Sequence, residues 1–254
     1  MRTLKLYAED IGKGNLILVN PSHPLATTPA DEVLVPIRPA FPEIVLERQT
    51  ARMLAEVAAL LQCEDQIVPV SGYRTMQEQQ AIYADSMREN GKEFTKKYVA
   101  TVGCSEHQTG LAIDLGENRP DIDFIRPYFP YTGICQEFRK LSVQYGFIQR
   151  YPAGRESITQ IAHEPWHFRY VGYPHSQLIR GNEFTLEEYT DCLKHFPFDG
   201  AHLRIKHDNY DFEIFHVPVE PGQEVEIELP DRIPFQVSGN NDDGFVVTLW
   251  RHLG

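Results

Sequence analysis

Pro165 most narrows what this chain can fold into. It lies in His163-Glu164-Pro165-Trp166-His167, which has the H-E-x-x-H form that on a helix places two histidines on one metal-binding face. A proline inside a helix costs about 3 kcal/mol and drives the residue before it, here Glu164, out of helical backbone. The residues that follow, Trp166-His167-Phe168-Arg169-Tyr170-Val171, are an aromatic and β-branched alternation suited to a strand. On a strand His163 and His167 share a face but lie roughly 13 Å apart at ~3.3 Å per residue, too far to share one ion unless the backbone bends. The segment therefore reads as a turn entering a strand. His167 stays available as a ligand, Glu164 is carried over it, and His163 becomes a packed or supporting histidine.

A second segment, Ser105-Glu106-His107-Gln108-Thr109-Gly110-Leu111-Ala112-Ile113-Asp114, supplies what the first lacks. Gly110 permits a sharp turn, after which Leu111, Ile113 and Leu115 alternate with Ala112 and Asp114. Asp114 thus faces away from the large apolar side chains, beside a small alanine, and His107 returns toward that face. Two imidazoles, one carboxylate and a spare glutamate are the donor types of a catalytic zinc site with an open position for water, so the pair of segments suggests a metallohydrolase.

The other elements point to an α+β fold, a small antiparallel sheet with flanking helices. Asn15-Leu16-Ile17-Leu18-Val19 reads as a strand feeding a proline-rich loop, Pro21 to Pro42, long enough to help wall a site. Ala51, Leu54, Val57, Ala58 and Leu61 recur at helical spacing and predict a helix over 48–62. Ile67-Val68-Pro69-Val70 reads as a short strand, with Pro69 implying an edge or a strand end, and Thr75 with Glu78 forms a capping box opening a helix through about Met87. Further helices are expected near 136–145 and 186–194. Beyond Pro197, Glu224-Val225-Glu226-Ile227-Glu228-Leu229 alternates strictly, and Asp243-Gly244 precedes Phe245-Val246-Val247-Thr248-Leu249-Trp250 like a hairpin turn. The expected division is a catalytic domain over 1–197 and a small acidic β-rich appendage over 198–254.

Charge limits the partners. The formal net charge is -12, and between Asp208 and Asp243 ten acidic residues face a single basic one, Arg232. That argues against nucleic acid, whose phosphates need a basic face. The start of the chain lacks the apolar stretch of a signal peptide and no run approaches a membrane span, so a cytoplasmic protein without a membrane anchor is expected. Cys63, Cys104, Cys135 and Cys192 lie far apart and read as free thiols.

Ser105-x-His107-x-x-Gly110-x-Ala112-x-Asp114, Glu164-x-Trp166-His167 and the upstream Ser71-Gly72-Tyr73-Arg74 together resemble the zinc D-alanyl-D-alanine peptidases of the VanX/VanY group, over about residues 15 to 175 and in the family's order. The intracellular bifunctional VanXY type, linked to glycopeptide (vancomycin) resistance, is the nearest likeness. The resemblance implies the D-Ala-D-Ala metallopeptidase or hedgehog-like fold. It also implies that His107, Asp114 and His167 hold Zn2+, that Glu164 is the general base and that Arg74 binds the scissile carbonyl. Gln79, Ser105 and Ser71 stand where the group contacts substrate. D-Ala-D-Ala and muramyl pentapeptides are the implied substrates, and the sequence leaves a homodimer open.

The chemistry is consistent with those residue types. A carboxylate such as Glu164 can take a proton from activated water and pass it to a leaving amine, and a permanently cationic Arg74 can stabilise the oxyanion. Two rivals keep the fold: an endopeptidase cutting other peptidoglycan peptides, and a non-catalytic zinc-dependent peptide-binding module. Retention of Glu164 and Arg74 argues against the second.

Overall fold

A computed structural model describes residues 1–25 and 27–253; Ala26, within the proline-rich loop, and Gly254 lie outside the described residues. In chain order the elements are β1 (Arg2–Tyr7), β2 (Leu34–Pro36), β3 (Val45–Glu47), α1 (Arg48–Leu61), β4 (Ile67–Ser71), α2 (Met76–Glu89), α3 (Gly91–Tyr98) and β5 (Ala112–Glu117). Then follow α4 (Gly133–Ser142), β6 (Phe147–Tyr151), α5 (Glu156–Thr159), β7 (Glu164–Tyr170), α6 (His175–Gly181), α7 (Leu186–Leu193), β8 (Leu203–His207), β9 (Tyr210–Pro218), β10 (Glu224–Leu229), β11 (Phe235–Gly239) and β12 (Gly244–His252). They fall into two units, residues 19–185 and residues 1–18 with 186–254. The α+β class expected from the sequence is what the chain adopts.

The 19–185 unit is built on an antiparallel sheet of order β4-β5-β7-β6. Pro69 cannot donate to a ladder, and β4 is accordingly an edge strand. Strand alternation divides the sheet's two faces. Ile113 and its cross-strand partner Phe168 point to one side, where Phe168 meets Phe129 and Phe138 edge-to-face at 5.3 and 5.1 Å. Asp114 pairs with His167 and Ala112 with Arg169 on the other side, which is therefore polar although buried.

Helix boundaries follow local signals. The Thr75 side chain accepts from Glu78 N–H while the Glu78 carboxylate accepts from Thr75 N–H, a complete capping box at the start of α2. In α1, Glu47 accepts from Thr50 N–H, and Ala51, Leu54 and Val57 form the buried stripe. α4 runs into a 3-10 turn that stops at Gly146, whose φ of +88° suits glycine.

The proline-rich segment is not wholly irregular. β2 and β3 pair as a short antiparallel ladder, and β3 lies against Gly72, where an added Cβ would fall 2.5 Å from Val45 O. Glu47 N–H also donates to Gly110 O at 2.9 Å. The ladder thus braces the Ser71–Arg74 and His107–Gly110 loops from behind, where the sequence suggested a cavity wall.

In the other unit, β11-β12-β9-β8 form an antiparallel sheet and β1 pairs with β10. Ile227 and Leu229 enter a core with Leu6, Phe215, Val217, Phe245 and Val247, while Glu224, Glu226 and Glu228 stay exposed. Lys5, the cross-strand partner of Glu226, pairs with it at 2.5 Å, so the acidic edge is covered by β1. That pairing brings residues 1–18 into the carboxy-terminal unit, a long-range partnership that hydrophobic alternation does not encode. The strand expected over Asn15–Val19 does not form. Leu16 N–H donates to Ser238 Oγ and Leu18 N–H to Asn240 O, so this buried run satisfies its backbone without a ladder. The four cysteines are free, and no helix among the described residues is long and apolar enough to cross a membrane.

His175, at the start of α6, is 2 % exposed, and burial pushes its pKa from 6.5 down to about 3. The unfolded chain then takes up the proton at higher pH than the folded one. Stability should fall as pH drops from 6.5 toward about 3, by at most roughly 5 kcal/mol from this residue. Urea titrations across that window should show His175→Gln losing less stability than the parent; parallel losses would show that His175 does not set the slope.

Candidate active site

The site is a row of side chains across neighbouring strands. Ser71, at the end of β4, pairs with Asp114 of β5, which pairs with His167 of β7. The Ser71–Asp114 pairing depends on a register shift between Pro69 and Ser71, one extra residue that re-aims the strand end. A second irregularity lies between β6 and β7, where Gln149 faces Phe168 but Tyr151 faces Glu164. In a regular strand, residues three apart point to opposite faces. The bend lets Glu164 and His167 converge instead, with Glu164 Oε2 3.8 Å from His167 Nδ1. Glu164 thus begins β7 itself, and the expected turn is a bend within the strand. His163 is left outside: its Nε2 meets Tyr131 OH at 2.6 Å, away from the ligand group.

His107 arrives from a 3-10 turn, Glu106–Thr109, closed by Gly110 at φ +73°. A Cβ on Gly110 would also fall 3.0 Å from Glu47 N, so the close backbone of β3 adds to the conformational preference for glycine. His107 Nδ1 donates to Gly72 O at 2.7 Å, which leaves Nε2 aimed at Asp114 Oδ2, 3.1 Å away. His167 Nδ1 lies 2.9 Å from the other Asp114 oxygen. One ligand atom from each of His107, Asp114 and His167 fits within 4.8 Å of the others. Donors around a tetrahedral zinc lie about 3.3 Å apart, so the spacing and the two-nitrogen, one-oxygen set both suit that ion.

Arg74 enters from the loop between β4 and α2, its side chain 13 % exposed. Its Nε donates to Ser71 Oγ at 2.8 Å, Nη1 to Gln79 Oε1 at 3.4 Å and Nη2 to Asp114 Oδ2 at 3.3 Å. Gln79 is fixed in turn by donating to Ala100 O at 2.7 Å. Ser71 and Gln79, marked in the sequence as substrate contacts, thus hold the guanidinium here. Ser105 lines the cavity beside His107. The cavity has a volume of about 40 Å³ and opens to solvent, with Ile82, Tyr98, Phe124, Ile125 and Trp166 supplying apolar walls around the polar floor.

The electrostatics follow from burial. Burial alone would raise Asp114, but His107 and His167 hold it far below the usual carboxylate range. His107 is lowered to about 4 by burial and by the Arg74 charge, against the pull of Asp114. Burial lowers His167, but Asp114, with Glu106 and Glu164 adding to it, raises it to about 9. Glu164 is pushed up to about 8, chiefly by burial; His167 opposes this and Asp114 adds to it. A carboxyl whose proton affinity lies near neutrality can both take and return a proton.

Six of the eight residues marked in the sequence, Arg74, Ser105, His107, Asp114, Glu164 and His167, line this cavity, and Ser71 and Gln79 are joined to it through Arg74. The sequence reading did not single out Glu106, Arg150 and Arg169, a buried ionic cluster beneath His167. Arg169 carried a usable signal, since two residues from His167 on an alternating strand it must share the polar face.

Comparison with known proteins places the chain in a family. The VanY family, described as D-alanyl-D-alanine carboxypeptidase, matches residues 43–173. The chain is 43% identical over 181 residues to the bifunctional D-Ala-D-Ala dipeptidase and D-Ala-D-Ala carboxypeptidase VanXYC of Enterococcus gallinarum, covering 70% of this chain and 94% of that one. Among solved structures, the vancomycin resistance D,D-dipeptidase VanXYg in complex with a D-Ala-D-Ala phosphinate analogue superposes with a TM-score of 0.95 at 49% identity, covering 98% of this chain and 99% of that one. The D,D-pentapeptidase VanY from a VanB-type resistance cassette, in complex with Zn(II), matches with a TM-score of 0.59 at 28% identity over 69% of this chain and 98% of that one. With the family match spanning half of its length and a relative of 43% identity covered almost end to end, the chain belongs to the VanY family of D-alanyl-D-alanine carboxypeptidases.

Proposed function

We propose that the protein is a zinc-dependent D,D-peptidase that splits D-Ala-D-Ala and removes the terminal D-Ala of muramyl pentapeptides, acting in the cytoplasm as part of glycopeptide resistance. The observation that carries the reading is the convergence of His107, Asp114 and His167 with a displaced carboxylate, Glu164, 3.8 Å from His167 Nδ1 in the same buried cavity. Its support among relatives is the dual activity in the name of VanXYC and the phosphinate complex of VanXYg.

In this reading His107, Asp114 and His167 hold the zinc ion. Bound there, zinc supplies Lewis acidity that brings deprotonation of water to about pH 7. Glu164, the one carboxylate of the cavity not committed to two histidines or two arginines, accepts the proton of the attacking water and returns it to the leaving amine. Its raised proton affinity suits both transfers. Arg74, oriented by Ser71 and Gln79, presents its guanidinium to the oxyanion that forms on the scissile carbonyl. The apolar walls exclude water around the small side chains of the dipeptide and strengthen each of these contacts.

Mass spectrometry of products from D-Ala-D-Ala, D-Ala-D-Ser and a muramyl pentapeptide, with and without chelator, tests the proposal. Release of D-alanine that stops with chelator and returns with zinc is expected; cleavage indifferent to chelator would remove zinc from the account. Glu164→Gln should lower kcat at least about 10³-fold with zinc content unchanged. A variant that kept both zinc and full turnover would exclude Glu164 as the base. Arg74→Ala should lose about 10²–10³ in kcat, as for removal of an oxyanion donor, with a smaller change in KM.

A further inference from the structure

We infer that Glu106 is a positioning residue: clamped by Arg150 and Arg169, it accepts the Nε2 proton of His167 and so turns Nδ1 of that ring to the metal. The inference rests on the metal centre proposed above and adds a residue that the reaction itself does not require.

The geometry assigns the role. Glu106 Oε1 accepts from Arg150 Nε and from Arg169 Nη1, both at 2.7 Å, and all three side chains are fully buried. The second carboxylate oxygen, Oε2, is 3.3 Å from His167 Nε2. The opposite ring nitrogen, Nδ1, faces Asp114 Oδ1 at 2.9 Å. An imidazole that binds a metal gives up one ring proton and keeps the other, so each nitrogen then has one role. With Nε2 donating to Glu106, Nδ1 is left with the lone pair a metal takes. His107 is fixed in the opposite sense, since its Nδ1 donates to Gly72 O and its Nε2 faces Asp114. The two histidines therefore bind through different nitrogens, one oriented by a backbone carbonyl and the other by a carboxylate.

The same short turn serves both. Glu106 and His107 are consecutive in it, so one residue reaches under β7 to the clamp while the next presents a ligand. Two arginines are needed because the carboxylate must stay ionised in a dry site, and one oxygen shared between two guanidiniums leaves the other free for the imidazole. Outer partners of this kind are typically worth 10–100-fold in metal affinity.

The test reads the nitrogens directly. Protein labelled with ¹⁵N in its histidine rings and loaded with ¹¹³Cd should show metal coupling at His167 Nδ1 and His107 Nε2, with a proton retained on His167 Nε2. Coupling at His167 Nε2 overturns the inference. The measurement uses the parent chain, so it decides the matter even where a Glu106 variant does not fold. Folded Glu106→Gln, checked by near-UV circular dichroism, should bind zinc 10–100-fold more weakly in competition with a chromophoric chelator. Unchanged affinity would reduce Glu106 to neutralising two arginines and overturn the role. A parent chain that binds no metal would overturn both this inference and the proposed function. Correct coupling without cleavage of D-Ala-D-Ala would overturn the substrate assignment and leave Glu106 in place.

Discussion

Charge burial governs the polar face of the central sheet. Glu106, Asp114, Glu164, His107, His167, Arg150 and Arg169 are all buried there, in a position where an uncompensated charge costs about 3–5 kcal/mol. The arrangement is stable because each charge has an assigned partner: Glu106 between two arginines, Asp114 between two histidines and against Arg74. Glu164 is the exception. Burial, with Asp114 and Glu106 adding to it, outweighs the pull of His167 at 3.8 Å and of Arg74, so its carboxylate is the one most easily protonated, which is the property that a proton-transfer group needs.

Departures from regular strand geometry place the groups that react. Without the shift after Pro69, Ser71 would not stand opposite Asp114, and Arg74 would lose the hydroxyl that holds its Nε. Without the bend at the start of β7, Glu164 would project to the far side of the sheet from His167. The regular part of the ladder, Ala112 to Asp114 against Arg169 to His167, sets the ligands side by side, and the irregular ends bring the base and the cation to them. Rigidity comes from the ladder, and convergence from its two defects.

Much of this was legible in the chain. Gly110 before an alternating run announced a turn into a strand with Asp114 on the polar face. Thr75 and Glu78 announced the helix that follows Arg74, and Pro165 ruled out the helix that the His163 to His167 spacing imitates. The less legible parts depend on partners far apart in sequence. The first strand finds β10 more than two hundred residues away, and Leu16 to Leu18 are satisfied by Ser238 and Asn240 without a strand. Glu106 sits beside a ligand in the motif, yet its meaning depends on arginines 44 and 63 residues further on.

The sequence by itself determined the chemistry available: two imidazoles, a ligand carboxylate, a spare carboxylate and a guanidinium, each on an element whose local pattern fixes its face. Tertiary structure decided which nitrogen of each histidine looks inward, which carboxylate is neutralised and which is left with a raised proton affinity. Those outcomes depend on cross-strand register and on charges brought together from distant segments. Local propensity acts over a few residues, whereas proton affinity in a buried site is set by the whole surrounding field.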